Sequence, residues 1–366
     1  SWDNVAHEAA HTPQGRNTKL YAARIHGQVN IPAQPALDAP VEVKLSRLMF
    51  PEAPPSPYEM PQESRPAFEP SPIDPASLPP LHLSIDALSY GDIRLRELDL
   101  RAAPQAASLS PKGESAWIIS PLHAKGASLE LHGQASWRRT AEGHPHSALA
   151  LEFNSDNVGA ALTGLGAKHA LREGVLDNSR MSLSWPGGLA QFDWARAHGQ
   201  SEMHILDGKI DKVELGAGRM LGLISLTELP RRLILDFGDV FGNGLHFERL
   251  DSELNLNDGK LHATRFELLS SALKLNITGY SNMLDQSLHY QMAATPSLGN
   301  VLPIVGTVAG GPIVGGATFV AQKLFEMAGG SFVTLNYQIT GTWEAPIIER
   351  GAPAEAKPDA AETTAP

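Results

Sequence analysis

Between Leu81 and Met292 apolar side chains recur at every second position, and this restricts the chain more than any other feature of its sequence. Successive side chains of an extended strand point to opposite faces, so the pattern demands strands with one aliphatic and one polar face. The examples are Leu81, Leu83 and Ile85; Leu129 and Leu131; Leu149, Leu151 and Phe153; Met181, Leu183 and Trp185. They continue with Leu254 and Leu256; Leu273, Leu275 and Ile277; and Leu288, Tyr290 and Met292. Helix signals are sparse: short candidates at residues 156–165 and 217–228, and one apolar segment near the C-terminus. The fold class is mainly β.

Two Asp-Gly pairs, Asp207-Gly208 and Asp258-Gly259, suit tight primed turns and are expected to reverse strands. Half of the 28 prolines fall between Pro32 and Pro80, a density that neither a helix nor a central strand tolerates. Residues 51–80 therefore read as a loop or linker, with Val41, Val43 and Leu45 as a strand just before it. Residues 351–366 have the composition of a disordered tail.

The 29 Lys and Arg against 40 Asp and Glu give a net charge of −11, and no basic run is interleaved with aromatics, which argues against nucleic acid as a partner. The absence of cysteine excludes a disulfide framework and thiolate metal sites and fits an oxidising compartment as well as the cytosol. No signal peptide or apolar anchor is visible in the opening SWDNVAHEAA.

Enzymatic motifs fare poorly. His7, Glu8 and His11 spell HExxH, but Pro13 and Gly15 leave little room for the helix that zinc binding needs, and no third ligand stands at a recognisable spacing. The stretch GLGAKHA from Gly164 lacks the third glycine and the βαβ setting of a dinucleotide site. Asp236 and Asp239 read as turn caps, and Arg231 and Arg232 as their salt-bridge partners. The expectation is no enzyme, no metal and no cofactor.

The residues from Arg219 onward, RMLGLISLTELPRRLILDFGDVFGNGLHFERL, resemble the YhdP family of AsmA-like proteins. The likeness rests on Leu221 to Leu223, Leu229 to Leu233, Leu235 to Phe237, and Gly244, Leu245 and Phe247. It extends to DPASLPPLHLSIDAL, to Leu183–Gly188 (LSWPGG) with Gln191 and Phe192, to Gly310–Ala317, and to ITGTWEAPII from Ile339. It covers roughly residues 74–349; HEAAH is no part of it.

The resemblance implies an elongated, twisted antiparallel sheet forming an open apolar groove, with a few short helices. It implies carriage of phospholipid across the periplasm of a Gram-negative envelope, in support of the outer-membrane barrier. In such proteins an N-terminal helix sits in the inner membrane and the C-terminal end lies near the outer one; the match here is to the C-terminal portion alone. The expected organisation is groove strands in residues 1–50, the loop 51–80, the groove proper in 81–296, an apolar helical hairpin in 297–330, a final strand in 331–350 and the tail 351–366. Expected partners are phospholipid, the inner face of the outer membrane, and outer-membrane or periplasmic proteins.

The alternating residues named above, from Leu81 to Tyr290, are the expected acyl-chain lining. Burying one CH₂ stabilises by about 0.8 kcal/mol, and a smooth aliphatic strip offers a chain no particular stopping point. The apolar segment VLPIVGTVAGGPIVGGATFVAQKLFE breaks at Gly310-Gly311-Pro312. The halves Ser297 to Ala309 and Ile313 to Ala328, at about 20 and 24 Å as helices, are each short of the ~30 Å hydrocarbon core. The segment is expected to form a helical hairpin that caps the groove or dips into the outer membrane, presenting Val301, Leu302, Ile304, Val305, Ile313, Val314, Phe319, Leu324 and Phe325. A core hairpin packed on the sheet is the alternative for this segment, and an envelope scaffold acting through protein contacts is the alternative for the whole.

Overall fold

A computed structural model describes residues 6–50, 71–106, 108, 113–165, 171–210, 244–296, 334–343 and 345–351. Nineteen strands form one open sheet. In chain order they are β1 Ala6–Thr12, β2 Gly15–Tyr21, β3 Ile25–Pro32, β4 Val41–Phe50, β5 Leu81–Ile85, β6 Leu88–Tyr90, β7 Ile93–Leu95, β8 Glu97–Gln105, β9 Ser115–Lys125 and β10 Glu130–Arg139. There follow β11 Pro145–Ser155, β12 Leu171–Pro186, β13 His198–Ile210, β14 Leu245–Asn257, β15 Lys260–Leu269, β16 Leu273–Asn282, β17 Leu288–Pro296, β18 Leu335–Gly341 and β19 Pro346–Arg350. Neighbours pair antiparallel except at β4, which runs parallel to β5 along its first half and to β6 along its second. β5 then pairs with β8, and the ladder continues strand by strand to β19, with β6 and β7 as a side hairpin.

Because each pairing is in register with the next, one row of side chains can be followed across fifteen strands. It runs Val29, Val43, Leu83, Leu100, Leu122, Gly133, Leu151, Met181, Ser201, Leu254, Ala263, Gly279, Tyr290, Ile339 and Ile348. At a strand spacing of about 4.8 Å this row is roughly 67 Å long. A parallel row one pleat away carries Leu81, Ala102, Ile119, Ala135, Leu149, Leu183, Gly199, Leu256, Leu261, Ser281 and Leu288. A slip of one residue anywhere would turn this aliphatic strip to the polar side, so the alternation fixes the register.

Asp258-Gly259 makes the expected two-residue turn between β14 and β15, with φ of 48° and 72°. Asp207-Gly208 does not reverse the chain, contrary to expectation. It lies inside β13, where Asp207 (φ 51°) stands close to Glu173 (φ 60°) of β12, so both strands kink at the same level and pairing runs straight through. The left-handed conformation that suits Asp here redirects the strand, leaving Ile205 and Gly208 buried while Leu206 points out. The one described helix, α1 (Val158–Gly164), falls in the expected place and is capped by the Asn157 side chain accepting from Ala160 N. The helix expected at 217–228, the hairpin at 297–330, residues 51–70 and the tail from 352 lie outside the described residues.

Burial is uneven along the sheet, with Leu45, Ile85, Leu100, Ile119 and Ala135 buried among half-buried neighbours in the earlier strands. Val29, Val43 and Leu83 are half-buried, whereas Leu254, Leu275, Ile277 and Tyr290 are almost entirely enclosed. Leu275→Ala should therefore destabilise the fold by about 2–5 kcal/mol, and Val29→Ala by less than about 1.5 kcal/mol. Urea denaturation followed by tryptophan fluorescence should show a clear fall in midpoint for the first and a small one for the second.

Candidate functional site

Between β9 and β13 the aliphatic face is a half-buried apolar strip, which serves as a floor between the features that flank it. Leu122, Leu131, Leu149, Leu151, Phe153, Met181 and Leu183 are half-buried there, adjacent across the strands and reachable from outside. Two glycines allow the leucines to lie flat. A Cβ on Gly133 would stand 2.8 Å from Leu151 Cδ2 and 2.2 Å from the Ala150 carbonyl oxygen. One on Gly199 would stand 2.5 Å from Leu183 Cδ2. Any larger residue would push its cross-strand leucine up into the trough.

Each rim of the floor carries a wall. On one side Trp117, Trp137, Ser147 and Trp185 form a cross-strand row. Trp185 meets Phe192 edge to face at 5.3 Å, and Phe192 meets Trp194 at 4.8 Å. Two loops lie over this row. Residues 187–197, joining β12 to β13, place Leu189 against the apolar clusters on both sides of the trough's midpoint. Residues 71–79 contain a short 3₁₀ turn, Pro75–Ser77, and Trp117 Nε1 donates to the Pro79 carbonyl at 3.1 Å. The Asp74 carboxylate accepts from Ser115 Oγ (2.8 Å) and Ala76 N (3.1 Å), and these bonds hold its pKa below the usual carboxylate value. Along the opposite rim α1 buries Val158 and Ala161, and Gly164 ends it close to Ala127 and the Arg94 carbonyl.

A smooth aliphatic floor between low walls, with no cluster of His, Asp or Glu able to hold a metal among the described residues, is suited to an extended apolar ligand. A sequence model of the YhdP protein family matches residues 1–348. The chain belongs to the YhdP family. It is 27% identical over 209 residues to the intermembrane phospholipid transporter YhdP of Escherichia coli (strain K12), an alignment that covers 56% of this chain and 16% of that protein. The chain thus spans a small part of the length of that relative. No solved structure matches.

The structure divides the expected lining residues of this YhdP chain into two groups on one face. Leu81, Leu83, Leu131, Leu149, Leu151, Phe153, Met181 and Leu183 are half-buried and belong to the open floor. Ile85, Leu129, Trp185, Leu254, Leu256, Leu273, Leu275, Ile277, Leu288 and Tyr290 are buried. Tyr290 illustrates the difference: its hydroxyl bonds Ser281 Oγ at 2.8 Å, and burial pushes its pKa up to about 12. The nine hairpin positions from Val301 to Phe325 lie outside the described residues, as do Arg231, Arg232, Asp236 and Asp239. Among the described residues no helix is long and apolar enough to cross a membrane. His7 and His11 lie on the extended β1, about 13 Å apart at strand spacing, too far to share one metal ion.

Sequence reasoning missed Leu122, Trp117, Trp137, Leu189 and the two floor glycines. A bulge at residues 120–121 shifts the alternation in β9, so Ile119 and Leu122 share a face while three positions apart. Leu189 sits in a loop without periodicity, and a glycine leaves no hydropathy mark.

The polar face of this YhdP sheet has its own order. Asp251 is buried there, with His204 Nδ1 at 2.9 Å, Arg249 Nε at 2.9 Å and Arg265 Nη2 at 3.9 Å, and His204 Nε2 reaches Glu202 at 3.2 Å. The hydrogen bond to Asp251, aided by Glu202, raises the pKa of His204 above its ordinary value of 6.5. A raised histidine pKa stabilises the fold fully below the ordinary value, and the gain is lost as pH rises through the folded value. His204→Gln should accordingly lower the melting temperature more at pH 5.5 than at pH 8, a difference that paired thermal melts would read.

Proposed function

We propose that the chain is a non-enzymatic segment of a phospholipid conduit between the inner and outer membranes of a Gram-negative envelope. In this reading the floor from Leu81 to Leu183 shields acyl chains while headgroups stay in water above the walls. The observation that carries it is the largely apolar row that crosses fifteen strands, with half-buried Leu122, Leu151 and Met181 in its middle. A protein that needed only to fold would cover such a strip with its own side chains. The E. coli relative's name supports phospholipid as the cargo. Periplasmic placement, an inner-membrane anchor elsewhere in the full-length protein and a C-terminal end near the outer membrane complete the proposal. The apolar segment 297–330, which lies outside the described residues, completes this reading as a hairpin that meets the outer membrane at the conduit's end, where outer-membrane or periplasmic proteins dock.

One observation favours a second reading for part of the chain. From β14 to β19 the aliphatic face is already enclosed, as a scaffold or an anchoring platform requires. We assign lipid contact to the half-buried floor and a supporting role to this closed end.

The two assignments predict opposite results for the same substitution. An unpaired charge on a dry aliphatic surface costs several kcal/mol. Leu151→Asp should fold, with an unchanged circular dichroism spectrum, but take up at least tenfold less lipid from vesicles of phosphatidylethanolamine and phosphatidylglycerol. Leu275→Asp should fail to fold. A folded Leu151→Asp protein that loads lipid as the wild type does would remove the floor from the conduit.

A further inference from the structure

The two loops over the tryptophan rim come from distant parts of the chain, yet they are joined to each other. Gln191 Oε1 accepts from Ser71 N at 3.0 Å and from Gly188 N at 2.8 Å, so one side-chain oxygen links residues 71–79 to residues 187–197. Arg139 Nη2 donates to the carbonyls of Ser71 and Ile73, both at 2.9 Å, and fixes the first loop to the end of β10. Ser147 Oγ donates to the Gly187 carbonyl at 2.9 Å and Trp185 Nε1 to the Gly188 carbonyl at 3.0 Å, fixing the second loop to β11 and β12.

Most of these attachments are hydrogen bonds to backbone groups. Each contributes only about 0.5–1.5 kcal/mol net, so a strap built from them can open locally without unfolding the sheet. The described apolar member inside the loop's first turn is Leu189, which packs against the clusters that share Leu149. Leu149 is packed against the same two clusters, so Leu189 and Leu149 share the junction between them. Had the loops served only to cover the tryptophans, neither the link between them nor an aliphatic side chain packed against both clusters would be needed.

We propose that residues 71–79 and 187–197 form a strap, latched by Gln191 to Ser71, that holds an acyl chain on the floor beneath Leu189 and sets how long a phospholipid stays in this part of the trough. The inference rests on the conduit reading above and adds a retention point to it. The strap retains one apolar chain against Leu149 and Leu183 while the latch is made. When the latch opens, the chain slides on or escapes over the tryptophan rim.

The test combines the latch with contact. Gln191→Ala removes the shared acceptor, whereas Gln191→Glu keeps an oxygen able to accept both N–H groups. Wild type and both variants would be loaded with fluorescent phosphatidylethanolamine and diluted into excess unlabelled vesicles. Gln191→Ala should release lipid at least threefold faster than wild type, and Gln191→Glu should stay within a factor of two. Release from Gln191→Ala at the wild-type rate would overturn the strap. Independently, a photo-crosslinking residue would be placed at Leu189 and, in a second protein, at Leu151, each with the same lipid. Adducts at both positions support the strap. Adducts at 151 without adducts at 189 overturn it and leave the conduit standing, and adducts at neither remove both.

Discussion

A sheet with one aliphatic face must have that face covered, and the rest of this structure follows from how the covering is done. The fifteen-strand row has no second sheet facing it among the described residues. Toward β19 the strip is enclosed: Leu268, Leu273, Leu275 and Ala294 have no exposed surface. Toward β5 half-buried positions such as Leu83, Leu122 and Leu151 alternate with a small buried cluster of Leu100, Ala102, Ile119 and Ala135. One continuous register therefore serves as a filled core at one end and as an accessible floor at the other, and a bound apolar chain would complete the open part as side chains complete the closed part.

The width of the open part is set by the walls. Strands of nine to sixteen residues offer about four to eight positions on one face, and the outermost of these are taken up by tryptophans on one rim and by α1 on the other. The remaining two or three rows are aliphatic and flattened by Gly133 and Gly199. The opposite face is tied by polar pairs that neutralise one another, such as Asp251 with His204 and Arg249.

The fold was largely legible because alternation survives wherever strands are regular. β5, β11, β12, β14, β16 and β17 lie where their leucines place them, and Asp258-Gly259 turns as its chemistry demands. Asp207-Gly208 misled because its preference for a left-handed backbone is met equally by a turn and by a paired kink, and only the partner strand's Glu173 decides between them. The alternation indicated which residues share the apolar face, but not how burial divides them along it. Leu151 and Leu275 look alike in the pattern; their difference in exposure comes from what packs above them. The strap was beyond reach, since the meeting of Ser71 and Gln191 spans 120 residues of chain and leaves no periodic trace.

The most direct test of the account is native mass spectrometry of the purified chain, released from detergent-free buffer with its bound small molecules. A trough with an open aliphatic floor predicts a population carrying phospholipid, whose acyl masses appear on collisional release and whose occupancy falls in Leu151→Asp. A folded chain that is uniformly free of lipid, after incubation with phospholipid vesicles as well as after purification, would contradict it.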